Sequence, residues 1–327
     1  MNRTLLFISL FSIFTLVSCQ SSPKNEAGKQ NEVELVAEKQ LAFPLDEQTY
    51  YLSKSMFQFE ENGKEYLHFE NTQKSLYDIV IFDIENQQIA KRIPLHKTGP
   101  NGLPAVYGSR PSPDSKQILI SQNNIGRLST INNQGEVVHN YPVKTPEGRF
   151  TTFFFCSYYN APAFVKDSCI FLNQGIFKPN MKREDWPQTH MFASQNLKTG
   201  KFEWVPIFYP PIFKEEYENI DGGYGFSYDY NYKENRLVCG FFGYDSLMVT
   251  DDLKHIRWYN AKSKYLKSMK PKLGNAMAGI NSIIEFCEAP MYWHIMYDKY
   301  RDVYYRFAEM PYKLASNESP YDEPKGK

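Results

Sequence analysis

Residues 228–240 read Tyr228-Asp229-Tyr230-Asn231-Tyr232-Lys233-Glu234-Asn235-Arg236-Leu237-Val238-Cys239-Gly240. An alternating aromatic run enters a polar turn, and an apolar run leads back out. Period-two alternation around a polar turn predicts two antiparallel strands joined as a hairpin. The pattern recurs along the chain. Copies stand at Met56–Phe59 with Asn62-Gly63 and Tyr66–Phe69, at Ser112–Ser115 with Ile118–Ile120, at Ala163–Asp167 with Cys169–Leu172, and at Tyr297-Asp298 with Arg301–Phe307.

A second hairpin follows each of the first four in chain order. These are Ile79–Asp83 with Ala90–Ile93, Arg127–Ile131 with Gly135–Val138, Met191–Ser194 with Gly200–Trp204, and Ser246–Val249 with Ile256–Trp258. Two successive hairpins make four strands. A recurring four-stranded antiparallel unit predicts an all-β fold, a β-propeller of four-stranded blades. The units are spaced by about 50–65 residues, longer than the roughly 40–45 of a compact WD40 repeat, so the loops are generous. Phe177–Thr189, which carries Asp185-Trp186-Pro187, is a notable one.

Four full units and one half unit can be counted. A lone strand over Val33–Phe43 precedes them and is expected to pair into the last blade. The chain is about one blade short of a closed ring on this count, so five, six or seven blades stay open and the last blade is incomplete. The propeller spans residues 33–312, and a polar tail covers 313–327. Lys262–Met269 is the one stretch with helical patterning. The 24 Tyr and 24 Phe suit pleated strands better than helices. With 37 basic and 37 acidic residues the chain is formally neutral, so no basic face for nucleic acid is expected.

The N-terminus carries one positive charge, Arg3, then an apolar run from Leu5 to Val17. This reads as a secretory signal over residues 1–18, too short for a transmembrane helix of roughly 20 apolar residues. Leu16-Val17-Ser18-Cys19 resembles the bacterial lipobox. That resemblance implies cleavage before Cys19 and acylation of it, hence attachment to a membrane through an N-terminal lipid. Residues 19–32 are polar and read as a flexible tether. Gln20 after the cysteine resembles the outer-membrane sorting pattern. The facing side is left open.

With the lipobox, Gly99-Pro100-Asn101-Gly102 and the late Tyr297–Phe307 element resemble lipoproteins of gut-type Bacteroidetes grouped as domain of unknown function 4221. The resemblance covers residues 34 to 312. It implies a six-bladed propeller similar to the TolB and NHL types. It brings no catalytic residues with it.

The chemistry-bearing residues each have two readings. Gly99-Pro100-Asn101-Gly102 is a plain turn, or a binding loop on the propeller rim with Asn101 as its polar contact. Asp298, Arg301, Asp302 and Arg306 form a turn-stabilising ion pair, or line a channel that grips an anionic or sugar ligand. Tyr224, Phe226, Tyr228, Tyr230 and Tyr232 share one strand face, for packing between blades or for stacking on pyranose rings. Asp78, Asp229 and Asp298 occupy corresponding positions resembling inner strands. Two carboxylates about 5–9.5 Å apart could serve glycoside hydrolysis. Apart from Cys19 the cysteines are Cys156, Cys169, Cys239 and Cys287, none in a CxxC spacing. They read as buried small residues, with a Cys156–Cys169 bridge across a hairpin left open. The six histidines show no ligand spacing, so no metal site is expected, and no cofactor is implied.

Two functions follow. The leading one is a membrane-anchored envelope module that binds or scaffolds a glycan, peptide or envelope protein. The alternative is a carbohydrate-active enzyme using carboxylates in the propeller channel.

Overall fold

Branched aliphatic and aromatic residues fill both faces of the middle strands, so every sheet needs a neighbour on either side. The computed structural model describes residues 36, 40–49, 52–72, 77–112, 114–122, 126–143, 161–173, 187–210, 226–266 and 290–310. The strands all lie within the unit Ala42–Lys327. Blade 1 orders β1 (Leu52–Glu61), β2 (Lys64–Thr72), β3 (Tyr77–Asp83) and β4 (Gln88–Pro94) as antiparallel neighbours. Blade 2 repeats this with β5 (Gly108–Pro111), β6 (Ile118–Gln122), β7 (Arg127–Ile131) and β8 (Val137–Pro142). Blade 3 holds β9 (Phe164–Lys166), β10 (Cys169–Asn173), β11 (Phe192–Asn196) and β12 (Phe202–Trp204). Blade 4 holds β13 (Phe226–Asn231), β14 (Arg236–Phe241), β15 (Ser246–Thr250) and β16 (Arg257–Asn260). A fifth, two-stranded sheet pairs β17 (Met291–Asp298) with β18 (Val303–Glu309). The four full units and the half unit of the sequence are thus the sheets of a propeller.

Local chemistry sets the hairpins. Asn62 and Gly63 both have positive φ, the type I′ turn whose twist matches antiparallel strands. Asp167 and Ser168 adopt the same two-residue turn between β9 and β10, without a glycine.

The core lies between blades. Ile79, Ile81 and Ile93 of blade 1 pack on Ile118, Ile120 and Ile131 of blade 2. Leu119 and Leu128 then meet Ile170 and Leu172 of blade 3. Phe164 and Phe192 of blade 3 meet Tyr228, Tyr230 and Phe241 of blade 4. Val238 and Val249 meet Ile295 of the half blade. Each such side chain contributes about 1.5–3 kcal/mol on burial. Outward, the burial fades, and all four residues of β16 are exposed. Close approaches between blades need glycine. A Cβ on Gly135, already at positive φ, would stand 2.0 Å from the Pro94 carbonyl oxygen. One on Gly240 would stand 3.0 Å from the Ile295 side chain. The β17–β18 turn reaches back to blade 1: Lys299 pairs with Glu65 at 2.9 Å, and the Tyr300 hydroxyl donates to Glu65.

Several expectations are corrected. Val36 and Gln40–Phe43 form no strand; Phe43 instead packs its ring on Phe82, 5.2 Å away. Lys262–Leu266 form no helix, and Leu266 packs on Tyr292. Cys169 keeps a free thiol, and its sulfur accepts from Asn196 at 3.6 Å, so it forms no bridge to Cys156. Cys19 and the leader, Cys156, Cys287, Tyr224, residues 174–186, residues 267–269 and the tail lie outside the described residues.

Candidate functional site in the central channel

β5 packs on β1 and β2 of blade 1, and β13 on β17 of the half blade. β5 is only Gly108-Ser109-Arg110-Pro111, and all four residues are buried. Successive side chains on a strand point to opposite faces, so Ser109 and Arg110 diverge.

Arg110 is 5% exposed. Its guanidinium lies over the Phe57 ring of β1, 4.3 Å from the centroid. Its Nε is sealed from solvent with no hydrogen-bond partner. Among the described residues no carboxylate pairs with it. Burying an unpaired cation costs several kcal/mol, and a desolvated cation–π contact returns about 2.

Asp229 of β13 is half-buried. One of its oxygens accepts from the Tyr230 N–H and the other from the Tyr297 N–H of β17, both at 2.8 Å. Burial pushes its carboxyl up to about 6, and the Arg110 charge pulls the other way. Arg110 belongs to blade 2 and Asp229 to blade 4.

Ser109 serves the blade 1–2 interface. Its hydroxyl lies 2.7 Å from Nε2 of His68, and it hydrogen-bonds Glu70 through hydroxyl and backbone N–H. Burial pushes His68 down to about 3, with the Arg110 charge acting in the same direction. Burial pushes Glu70 up to about 7. Serine, histidine and an acid thus meet, but not as a catalytic triad. The acid bonds the serine and not the imidazole, whose Nδ1 has no partner. Ser109 and His68 are fully buried and Glu70 is 4% exposed, so no substrate reaches them.

The residues singled out in the sequence separate. Asp78 sits on β3, the third strand of its blade, and not on an inner strand. It accepts from Asn71 and Arg92, each at 2.6 Å. Asp298 ends β17 and caps the following turn, accepting from the Tyr300 and Arg301 N–H groups and from the Arg301 guanidinium at 2.9 Å. The Arg301 partner holds its carboxyl below the usual range. Of the three aspartates only Asp229 lies where an inner strand meets the Arg110 field, and the others are committed elsewhere.

Tyr228 is fully buried between blades 3 and 4, and its hydroxyl donates to the Ala161 carbonyl at 3.0 Å. It packs and presents no stacking platform. Arg306 donates to the carbonyls of Asp245 at 2.7 Å, Ala261 at 3.1 Å and Phe241 at 3.3 Å, and also to Tyr244. It lies over the Tyr292 ring and anchors the half blade to blade 4. Neither Arg306 nor Tyr228 is placed to grip a ligand. Asn101 accepts from the Val137 N–H at 3.0 Å, and Gly102 donates to Gly99 at 2.9 Å, which makes 99–102 a β-turn docked on blade 2.

Arg110 was missed because Gly108–Pro111 shows no alternation and precedes the polar turn that marked the hairpin. An arginine one residue before a turn carries no visible sign of burial. A cleft of about 180 Å³ between blades 1 and 2, lined by Phe59, Tyr66 and Lys91, falls below the roughly 300 Å³ where ligand pockets begin.

The family model for the domain of unknown function 4221 matches residues 32–325. The chain belongs to this family. A crystallised family member from Bacteroides vulgatus is 83% identical, with a TM-score of 0.83 over 91% of this chain and 82% of that one. A Bacteroides fragilis protein, inferred to be exported, is 9% identical, with a TM-score of 0.48 over 82% of this chain and 74% of that one. No functionally curated protein matches.

Proposed function

We propose that this member of the 4221 family is a lipid-anchored envelope protein whose propeller binds a ligand or partner in or over its central channel. The anchor reading rests on Leu16-Val17-Ser18-Cys19 and the polar tether behind it. The binding reading rests on Arg110, a buried cation without an acid partner among the described residues. Arg306, by contrast, donates to carbonyls. Glycan, peptide and envelope protein are the ligand classes such a surface serves, and the outer membrane is the location the leader implies. The glycosidase reading loses ground, since Asp78 and Asp298 are committed away from Asp229.

The test has two arms. Metabolic labelling with an alkyne fatty acid should mark the wild type and not Cys19→Ala. Crosslinking on intact envelopes should recover one reproducible partner or glycan with the wild type. An unlabelled wild-type protein ends the anchor reading, and an empty crosslink ends the binding reading.

A further inference from the structure

We propose that the outer edge of blade 4, β16 with the segment 261–266 that follows it, docks on the anionic headgroup surface of a phospholipid bilayer. This goes beyond the channel reading and rests only on the membrane-anchored part of it. Charge comes first. The chain is neutral as a whole, yet from Leu253 to Leu266 it carries Lys254, Arg257, Lys262 and Lys264 and no acid, and the next acid is Glu285. All four basic residues are exposed. The two acids just before them are engaged: Asp251 sits between Arg236 and Arg257, and Asp252 pairs with the His255 ring.

Large rings share this stretch. Trp258, Tyr259 and Tyr265 are 43%, 50% and 61% exposed. Other outer strands turn such side chains in: Tyr141 of β8 is buried, and Phe202 and Trp204 of β12 are half-buried, whereas every residue of β16 is exposed. Charge alone keeps an edge strand from pairing with another chain, and exposed rings work against that end. The surface is also held in place. The Ala261 N–H donates to the Asp245 carbonyl at 3.1 Å, the Ser263 N–H donates to the Tyr292 hydroxyl at 2.8 Å, and Leu266 packs on Tyr292. The Trp258 ring rests 6.1 Å from Phe241, and the Lys264 ammonium lies 5.0 Å from the centre of the Tyr265 ring. Trp and Tyr rings beside basic residues match the boundary between lipid headgroups and acyl chains. Each Lys or Arg near an anionic bilayer adds about fivefold in affinity. An acidic glycan offers the charge as well, but a bilayer already holds the lipid anchor, so the second contact forms at high effective concentration.

The experiment uses the chain from Cys19 onward, unacylated, which drops the apolar leader and keeps every described residue. It is sedimented with vesicles of phosphatidylglycerol mixed into phosphatidylcholine, and with vesicles of phosphatidylcholine alone. The expected result is binding to the anionic vesicles only. Raising salt from about 0.1 M to about 1 M, which shortens the screening length from about 10 Å to about 3 Å, should release the protein. Lys262→Gln together with Lys264→Gln should weaken binding about thirtyfold with far-UV circular dichroism unchanged. Tyr259→Ser together with Tyr265→Ser should weaken it severalfold and leave its salt dependence in place. Vesicles brominated in the acyl chains should quench tryptophan fluorescence in the wild type and clearly less in Trp258→Phe, a readout that does not depend on the lysine variants folding. Equal binding to both vesicle types, full binding by the double lysine variant, or quenching unchanged in Trp258→Phe overturns the proposal. Heparin bound while vesicles stay silent overturns it too and names an acidic glycan. Silent vesicles with Cys19 still labelled remove this surface and leave the anchor; bound vesicles with Cys19 unlabelled remove the anchor and leave this surface.

Discussion

Replacing Glu70 by Gln should change how stability depends on pH, and the structure sets the size. Glu70 is buried between blades 1 and 2 with one oxygen bonded by Ser109 and Oε1 without a partner. Burial raises it from an ordinary 4.5 to about 7. A carboxyl raised on folding favours the folded state fully below its unfolded value, and that contribution is lost as pH rises through the folded one. The window is therefore pH 4.5 to 7. At about 1.4 kcal/mol per pKa unit the loss is about 3 kcal/mol between pH 4 and pH 8. Two neighbours titrate too. Asp229, raised to about 6, acts in the same direction, and His68, lowered to about 3, costs stability as pH falls below its ordinary 6.5. The wild-type curve alone is therefore a mixture, and the difference between wild type and Glu70→Gln isolates one carboxyl. Gln keeps the shape and never ionises. Urea unfolding at pH 4 and pH 8 should give similar stabilities at the acid end and a variant more stable by about 3 kcal/mol at the alkaline end. A difference that stays flat with pH would refute the buried, singly bonded carboxylate.

Other perturbations test the joints of the ring. Gly135→Ala puts a Cβ 2.0 Å from Pro94 at a positive φ, so thermal unfolding should show a loss of about 3 kcal/mol or more; an unchanged Tm sinks the tight blade 1–2 contact. Arg306→Met removes four carbonyl contacts that hold the half blade, and should cost about 3 kcal/mol and speed hydrogen exchange in β17 and β18 before the rest. Ser168→Gly relieves a non-glycine residue in the left-handed region of a two-residue turn, and should stabilise by about 1 kcal/mol in urea unfolding.

The blades were legible because their signal is local. A strand with a covered face alternates in sequence, and Asn62-Gly63 or Asp114-Ser115 announces a turn over four residues. The leader and Cys19 are read in the same way, from a short contiguous pattern. Packing was half legible: Phe226, Tyr228 and Tyr230 alternate whether they face a neighbouring blade or open solvent. Burial separates the two, and burial belongs to the neighbour, which here is blade 3 with Phe164 and Phe192.

The candidate site was legible only in Asp229. Asp78, Asp229 and Asp298 look equivalent in the chain, yet they fall on a third strand, an inner strand and a turn, and each takes different partners. The short strand β5 carries Arg110 without any periodic mark. By itself the sequence determined the class of fold, the strand-turn rhythm and the leader, because each depends on neighbours a few residues apart. Tertiary structure decided which charges are buried and which acids are engaged. Those properties arise where residues of different blades meet, as Arg110 of blade 2 does with the Phe57 ring of blade 1, and no spacing along the chain encodes that meeting.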